Sequence, residues 1–184
     1  TSGLQQSLDY ICQFLGNTKR SVLMEDPSYP KAREIFKKNA YPIVTAEVDE
    51  KGLDLTKVDR SSEIEMIYTT PSHQFPLGMI MPISRHRELL SFAEAHNSFI
   101  LEDDYDSELR YYQRPIPALK SIDYLGRVIY LGTFSKILSP SFRMGYMVLT
   151  EQFTESFLEK FKLYNSTVNL LNQIALANIL SSGD

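Results

Sequence analysis

Six short apolar runs, each delivering the chain into a polar cluster or a turn, constrain this sequence more than any other feature. Ser21 to Met24, Ile43 to Ala46, Glu63 to Thr70, Ser98 to Leu101, Val128 to Leu131 and Met144 to Leu149 are short enough for buried strands and bounded by turn-forming residues. Helical spacing fills the stretches around them. Leu4, Leu8, Ile11, Cys12 and Leu15 recur on one face behind Thr1-Ser2-Gly3, Lys31 to Ala40 is entered through Pro30, and Ile83 to His96 is amphipathic. Glu151 to Tyr164 and Val168 to Leu180 read as closing helices. Alternation of this kind predicts an α/β fold of three layers, α/β/α, with a mostly parallel sheet. With 184 residues, 43% of them hydrophobic, residues 1–184 suffice for one such domain with a single sizeable core. The absence of an initiator methionine or signal-like stretch, and the stop just after an apolar helical segment, suggest an excised piece of a longer protein.

Charge and cysteine content narrow the function classes. The net charge is −4 and the 19 basic residues are spread along the chain, which argues against this segment gripping a phosphate backbone. Cys12 stands alone and cannot form an internal disulfide, and no apolar run is long enough to span a bilayer. A cytoplasmic setting is the expectation.

Ligands of parallel α/β sheets sit at the carboxyl ends of the strands, so the polar segments after the apolar runs are the places to look for chemistry. Lys136 ends the string Gly132-Thr133-Phe134-Ser135-Lys136 directly after a strand. It is either a solvated loop lysine or an amine made nucleophilic by burial or a neighbouring cation, and Arg143 lies seven residues on. Thr133, Ser135 and Arg143 offer two hydroxyls and a guanidinium to a dianionic phosphate. Ser2 and Gly3 open a helix whose N-terminal amides suit the same anion, although any N-cap has that look. The strand ending at Leu101 delivers Glu102, Asp103, Asp104 and Asp106. A hard cation is one candidate partner, but matching carboxylates or histidines are missing at loop spacing elsewhere, and a protonated pyridine nitrogen fits a single buried carboxylate better. The remaining acids are solvated or pair with Arg110 and Arg114. His86 and His96 lie on a helix and look structural, and His73 lacks the serine or cysteine motif of a hydrolase triad. Tyr29 is core packing or an aromatic plate over a planar ligand.

Taken in order, Ser2-Gly3-Leu4-Gln5-Gln6, Asp103 and Gly132 to Lys136 with Arg143 resemble the fold-type-I pyridoxal-phosphate enzymes over essentially the whole chain. Thr70-Pro71-Ser72-His73-Gln74-Phe75-Pro76-Leu77-Gly78, Glu102 to Glu108 and Tyr130 to Lys136 are most similar to the aminotransferase-like domain of MocR-type regulators in the GntR family. The resemblance implies pyridoxal 5'-phosphate as cofactor and a PLP-dependent transferase-like large domain. Lys136 would form the internal aldimine, Asp103 would partner the pyridine nitrogen with Asp104 as its rival, and Tyr105 would donate to the ring phenolate. Tyr29 would stack on the ring, while Ser2, Gly3, Thr133, Ser135 and Arg143 would hold the phosphate. No metal is implied.

One departure matters. Where aminotransferases commonly read Asn-Pro-Thr-Gly, this chain reads Phe75-Pro76-Leu77-Gly78, so the usual ring-oxygen asparagine is absent. Gln74 or His73 substitutes for it, or Tyr105 acts alone, and efficient transamination comes into doubt. The resemblance further implies a homodimer with a partner residue reaching the phosphate. It also implies DNA contact only through an N-terminal winged-helix domain absent here, and a C-terminal small domain that is absent too. The leading expectation is an effector domain that senses an amine or amino acid by aldimine exchange at Lys136. The alternative is a class I/II aminotransferase moving an amino group between an amino acid and a 2-oxo acid.

Overall fold

The computed structural model describes residues 1–16, 19–59, 61–106, 116–136 and 138–182. Arg110 and Arg114, expected above to pair with acids, lie outside the described residues. In chain order the elements are α1 (Leu4–Leu15), β1 (Ser21–Asp26), α2 (Pro30–Lys38), β2 (Ile43–Asp49), β3 (Gly52–Leu53) and β4 (Ile64–Thr69). They continue with α3 (Ile83–Ala95), β5 (Phe99–Asp104), β6 (Val128–Thr133), β7 (Gly145–Val148), α4 (Glu151–Phe161) and α5 (Leu170–Ser182). No helix among the described residues is long and apolar enough to cross a membrane.

The seven strands form one sheet in the order β3-β2-β1-β4-β5-β6-β7. The five inner strands are parallel, while β3 and β7 run antiparallel to their neighbours at the two edges. The chain leaves β1 toward β2 on one side and later returns through β4 on the other, so the loops after β1 and β4 part company at the strand ends. That divergence opens a crevice at the carboxyl edge.

Side chains alternate across the sheet, with one break where β4 begins: a register shift beside Ser21 puts Ile64 on the same face as Ile67. Val22, Met24, Met66, Tyr68, Leu101, Ile129 and Leu131 pack with Leu8, Ile11 and Phe36 of α1 and α2 on one face. Leu23, Ile64, Ile67, Ile100 and Val128 pack with Leu89 and Ala93 of α3 on the other, completing the three layers. Helix α4 lies along α1 through aromatic contacts, Phe14 meeting Phe153 at 5.1 Å and Phe157 at 5.2 Å between ring centroids.

Four strands run further than their apolar runs, among them β2 to Asp49 and β6 to Thr133. The apolar run of β5 ends at Leu101, yet the strand continues through Asp104, pairing Glu102 with Tyr130, Asp103 with Leu131 and Asp104 with Gly132. A central strand with partners on both sides satisfies its backbone whatever its side chains are, so the acids stay in the sheet. β1 likewise extends to Asp26. The two-residue β3 is too short to leave a periodicity in sequence.

Candidate functional site

A cavity of about 260 Å³ opens at the carboxyl edge, lined by residues from six segments. Gly3, Leu4 and Gln5 come from the start of α1, Tyr29 from the loop after β1, and Thr70 and Phe75 from the loop after β4. Asp103 and Tyr105 come from the end of β5, Thr133, Ser135 and Lys136 from the end of β6, and Arg143 from the turn before β7.

Sheet alternation decides which acid faces the cavity. Asp103 shares a face with Leu101 and the α1 layer, whereas Glu102 and Asp104 point to the α3 side. Glu102 accepts the backbone N–H groups of Leu119 and Lys120, at 2.7 and 2.8 Å, and so caps a 3-10 turn. Asp104 accepts from the Tyr130 hydroxyl at 2.6 Å. Asp103 accepts from the hydroxyl of buried Tyr68. Burial raises the Asp103 carboxyl to about 7; Tyr68 opposes the rise, and Asp104, Glu25 and Asp106 add to it. A carboxyl so placed is short of a positive neighbour.

Lys136 sits at the rim, exposed rather than buried, with its ammonium 5.4 Å from the centroid of the Tyr105 ring. Tyr105 also meets Phe75 edge-on at 6.3 Å, and Phe75 meets Tyr29 edge-on at 5.5 Å. The three rings form an aromatic wall. Burial and the charges of Asp106, Asp103 and Glu25 hold the Tyr105 hydroxyl in its protonated, donating form.

The opposite end gathers the groups expected to hold an anion. Thr133 Oγ1 accepts the Ser135 N–H at 3.2 Å and donates to the Met144 carbonyl at 3.2 Å, folding the strand end into a turn whose Thr133 and Ser135 line the same cavity as Arg143. Arg143 itself adopts a left-handed backbone, φ 48° and ψ 49°, a conformation that costs a non-glycine residue on the order of 1 kcal/mol. Gly3 has φ 112° and ψ 179°, a region in practice open only to glycine, and it starts α1 so that the helix N-terminus faces the cavity. The N–H groups of Leu4 and Gln5 have no intrahelical acceptor there. Ser2 does not line the cavity; its backbone N–H donates to Gln6 Oε1 at 2.7 Å.

Neither Gln74 nor His73 takes the place of the missing asparagine. The Gln74 amide donates to Glu25 Oε2, to the Pro27 carbonyl and to the Phe75 carbonyl, at 3.1, 2.9 and 2.8 Å. His73 pairs with Asp106 at 2.7 Å. Neither lines the cavity; Phe75 does, seated in the wall between Tyr29 and Tyr105. Thr70, Phe75, Leu4 and Gln5 were not among the expected site residues. Thr70 and Phe75 carried no signal of their own, whereas Leu4 and Gln5 follow directly from Gly3 at a helix start. Glu25, buried below, accepts from Thr69 Oγ1 and Thr70 Oγ1 at 2.6 and 3.1 Å and ties the loops after β1 and β4 together.

A primary amine, a carboxyl group, a phenol, an aromatic wall and an anion cradle are what a phosphorylated, aldehyde-bearing pyridine needs on its separate edges, so the donor set fits pyridoxal phosphate. The chain belongs to the aminotransferase class I and II family, whose profile matches residues 1–183, and its fold is that of the fold-type-I enzymes. It is 43% identical over 177 residues to the uncharacterized HTH-type transcriptional regulator YdeL of Bacillus subtilis, covering 96% of this chain and 38% of the relative. It is 37% identical over 182 residues to the probable rhizopine catabolism regulatory protein MocR of Rhizobium meliloti, covering 99% and 37%. Among solved structures, Pyrococcus horikoshii kynurenine aminotransferase, crystallised in complex with PMP, superposes with a TM-score of 0.91 at 31% identity. That match covers all of this chain and 47% of the enzyme. The chain thus spans well under half the length of the regulators it matches, and those regulators carry an aminotransferase-like domain of this kind.

Proposed function

We propose that this chain is the pyridoxal-phosphate-binding effector domain of a MocR-type transcriptional regulator, responding to a small amine or amino acid. The observation that carries the reading is the single cavity uniting Lys136, Asp103, Tyr105, Thr133, Ser135 and Arg143. Identity to HTH-type regulators supports the regulatory role.

When bound, pyridoxal phosphate supplies an aldehyde that reacts reversibly with primary amines and a ring that withdraws electrons. Thr133, Ser135, Arg143 and the start of α1 from Gly3 onward hold the phosphate, and Ser2, whose backbone N–H is taken by Gln6, drops out of the expected set. Tyr29 and Phe75 cover the ring, and Tyr105 donates to its oxygen. Asp103, on the cavity lining, would partner the ring nitrogen and favour a proton there. Lys136 is the chain's own amine for the aldehyde, and an effector amine competes with it, which makes Lys136 the switch position. DNA contact belongs to a domain outside this chain, the working form is a homodimer, and the setting is cytoplasmic.

Turnover as an aminotransferase is the second reading, favoured by the superposition on the kynurenine enzyme. Lys136 would then also move a proton as general base. Phe75 in the wall argues against efficient turnover, because it removes a donor to the ring oxygen.

Absorbance of the chain with added pyridoxal phosphate, followed by borohydride reduction and peptide mapping, tests the assignment. A visible band, with the reduced cofactor recovered on Lys136 and both lost in Lys136→Ala, is the expected result; cofactor recovered on scattered lysines would refute it. Sustained 2-oxo-acid production over many turnovers would move the conclusion to the enzyme.

A further inference from the structure

We propose that Tyr68 is a positioning residue of this site: its hydroxyl ties one oxygen of the Asp103 carboxyl and so aims the group at a ring nitrogen in the cavity. The inference rests on the pyridoxal-phosphate reading given above.

Tyr68 is fully buried on β4, beside β5 in a register that sets it opposite Leu101. Asp103 is the next residue of β5 on the same face, so the Tyr68 ring reaches along the sheet toward it. Its hydroxyl donates to Asp103 Oδ2. Phe36 of α2 packs edge-on against the Tyr68 ring, at 5.8 Å and 68°, which holds the ring in one orientation. Burial and the Asp103 charge drive the Tyr68 hydroxyl well above its ordinary pKa, so it remains a donor at every working pH.

The carboxylate thus has a division of labour. One oxygen is tied inside the α1 layer, and the residue lines the cavity floor. Of the groups acting most strongly on Asp103, burial, Asp104, Glu25 and Asp106 all favour the protonated form, and Tyr68 alone favours the charged one. Without that hydroxyl the floor would present a neutral, freely rotating acid. A protonated ring nitrogen would then lose its counter-charge.

The test compares two probes on the full chain: pyridoxal phosphate, and its analogue with carbon in place of the ring nitrogen. Dissociation constants and the pH profile of the bound-probe absorbance are measured for wild type, Tyr68→Phe, Asp103→Asn and the double variant. Tyr68→Phe is expected to weaken pyridoxal phosphate about five- to tenfold, the scale of one net hydrogen bond. It should leave the carbon analogue within about twofold and add nothing in the Asp103→Asn background. The pH profile of Tyr68→Phe should move toward that of Asp103→Asn. If Tyr68→Phe folds poorly, 3-fluorotyrosine at Tyr68 keeps the ring and strengthens the donor, and affinity for pyridoxal phosphate alone should hold or rise. Equal weakening of both probes would reduce Tyr68 to a packing role and overturn the inference, as would unchanged binding of both. Wild type that binds neither probe and leaves Lys136 unlabelled would instead remove the cofactor reading, and this inference with it.

Discussion

Asp103 is costly to keep charged in the absence of a ligand. Its carboxyl is raised to about 7 by burial first and by surrounding acids second. An acid whose folded pKa is raised contributes stability that is complete below its unfolded value, near 4, and lost as the pH climbs through 7. Asp103→Asn should therefore stabilise the cofactor-free chain at pH 8 by on the order of 2 kcal/mol and matter little at pH 4, while weakening pyridoxal phosphate. Urea unfolding at the two pH values reads this directly, and a variant less stable than wild type at pH 8 would contradict it. His86 works in the opposite sense. It is buried on α3 with no hydrogen-bond partner for either ring nitrogen among the described residues, and burial lowers its pKa to about 4. Its depressed pKa contributes stability present above about 6.5 and lost as the pH falls toward 4. His86→Leu should flatten that acid limb and gain about 1–2 kcal/mol near pH 5, since it removes two unsatisfied buried atoms. A thermal-melt series from pH 4 to 7 that keeps its slope in the variant would show that another group sets the limb.

The start of α1, the end of β6 and the start of β7 meet at the anion cradle, and glycines allow the approach. Gly145 N–H donates to the Thr1 carbonyl at 3.0 Å, and the Thr1 ammonium donates back to Gly145 O at 3.0 Å. A Cβ on Gly145 would lie 2.9 Å from the Gly132 carbonyl oxygen and 3.0 Å from Gly3 Cα, both backbone atoms that cannot swing away. Gly145→Ala is thus expected to cost about 1–3 kcal/mol and to displace the helix start from the cradle. Binding of inorganic phosphate or of pyridoxal phosphate should fall more than overall stability does; a variant with wild-type affinity would mean that α1 does not hold the anion. Much at this scale was legible beforehand. Gly132 to Lys136 is a local string, and its place at a strand end follows from the apolar run just before it. The Asp103 and Asp104 ambiguity was not resolvable from the string, because it depends on which face of β5 meets α1. Gln74 was misleading for the same kind of reason. Its amide is taken up by Glu25, 49 residues earlier, and only the adjacency of β1 and β4 brings the two together. Tyr68 likewise gave no signal, being one apolar residue in a buried strand until β5 lies beside it.

At the scale of the whole molecule, the least satisfied surface is helix α5. Leu170, Leu171, Ile174 and Leu180 are exposed, Leu176 is its one buried residue, and Leu163 and Tyr164 extend the apolar area from the end of α4. Several large apolar side chains exposed on one helix mark an interface. The proposed homodimer gives it a partner, and the three-layer domain accounts for the rest of the chain without calling on this face. Leu171→Glu with Ile174→Glu should then shift the chain toward monomer in sedimentation-velocity experiments while leaving its helical circular dichroism unchanged. Because binding that is completed by association becomes dependent on protein concentration, the same pair should weaken pyridoxal phosphate at low protein and less so at high protein. A wild-type chain that stays monomeric at about 100 times the concentration used for cofactor binding would separate the site from assembly. The cavity of Lys136 and Asp103 would in that case be complete within one chain, and the apolar face of α5 would belong to a contact other than the dimer.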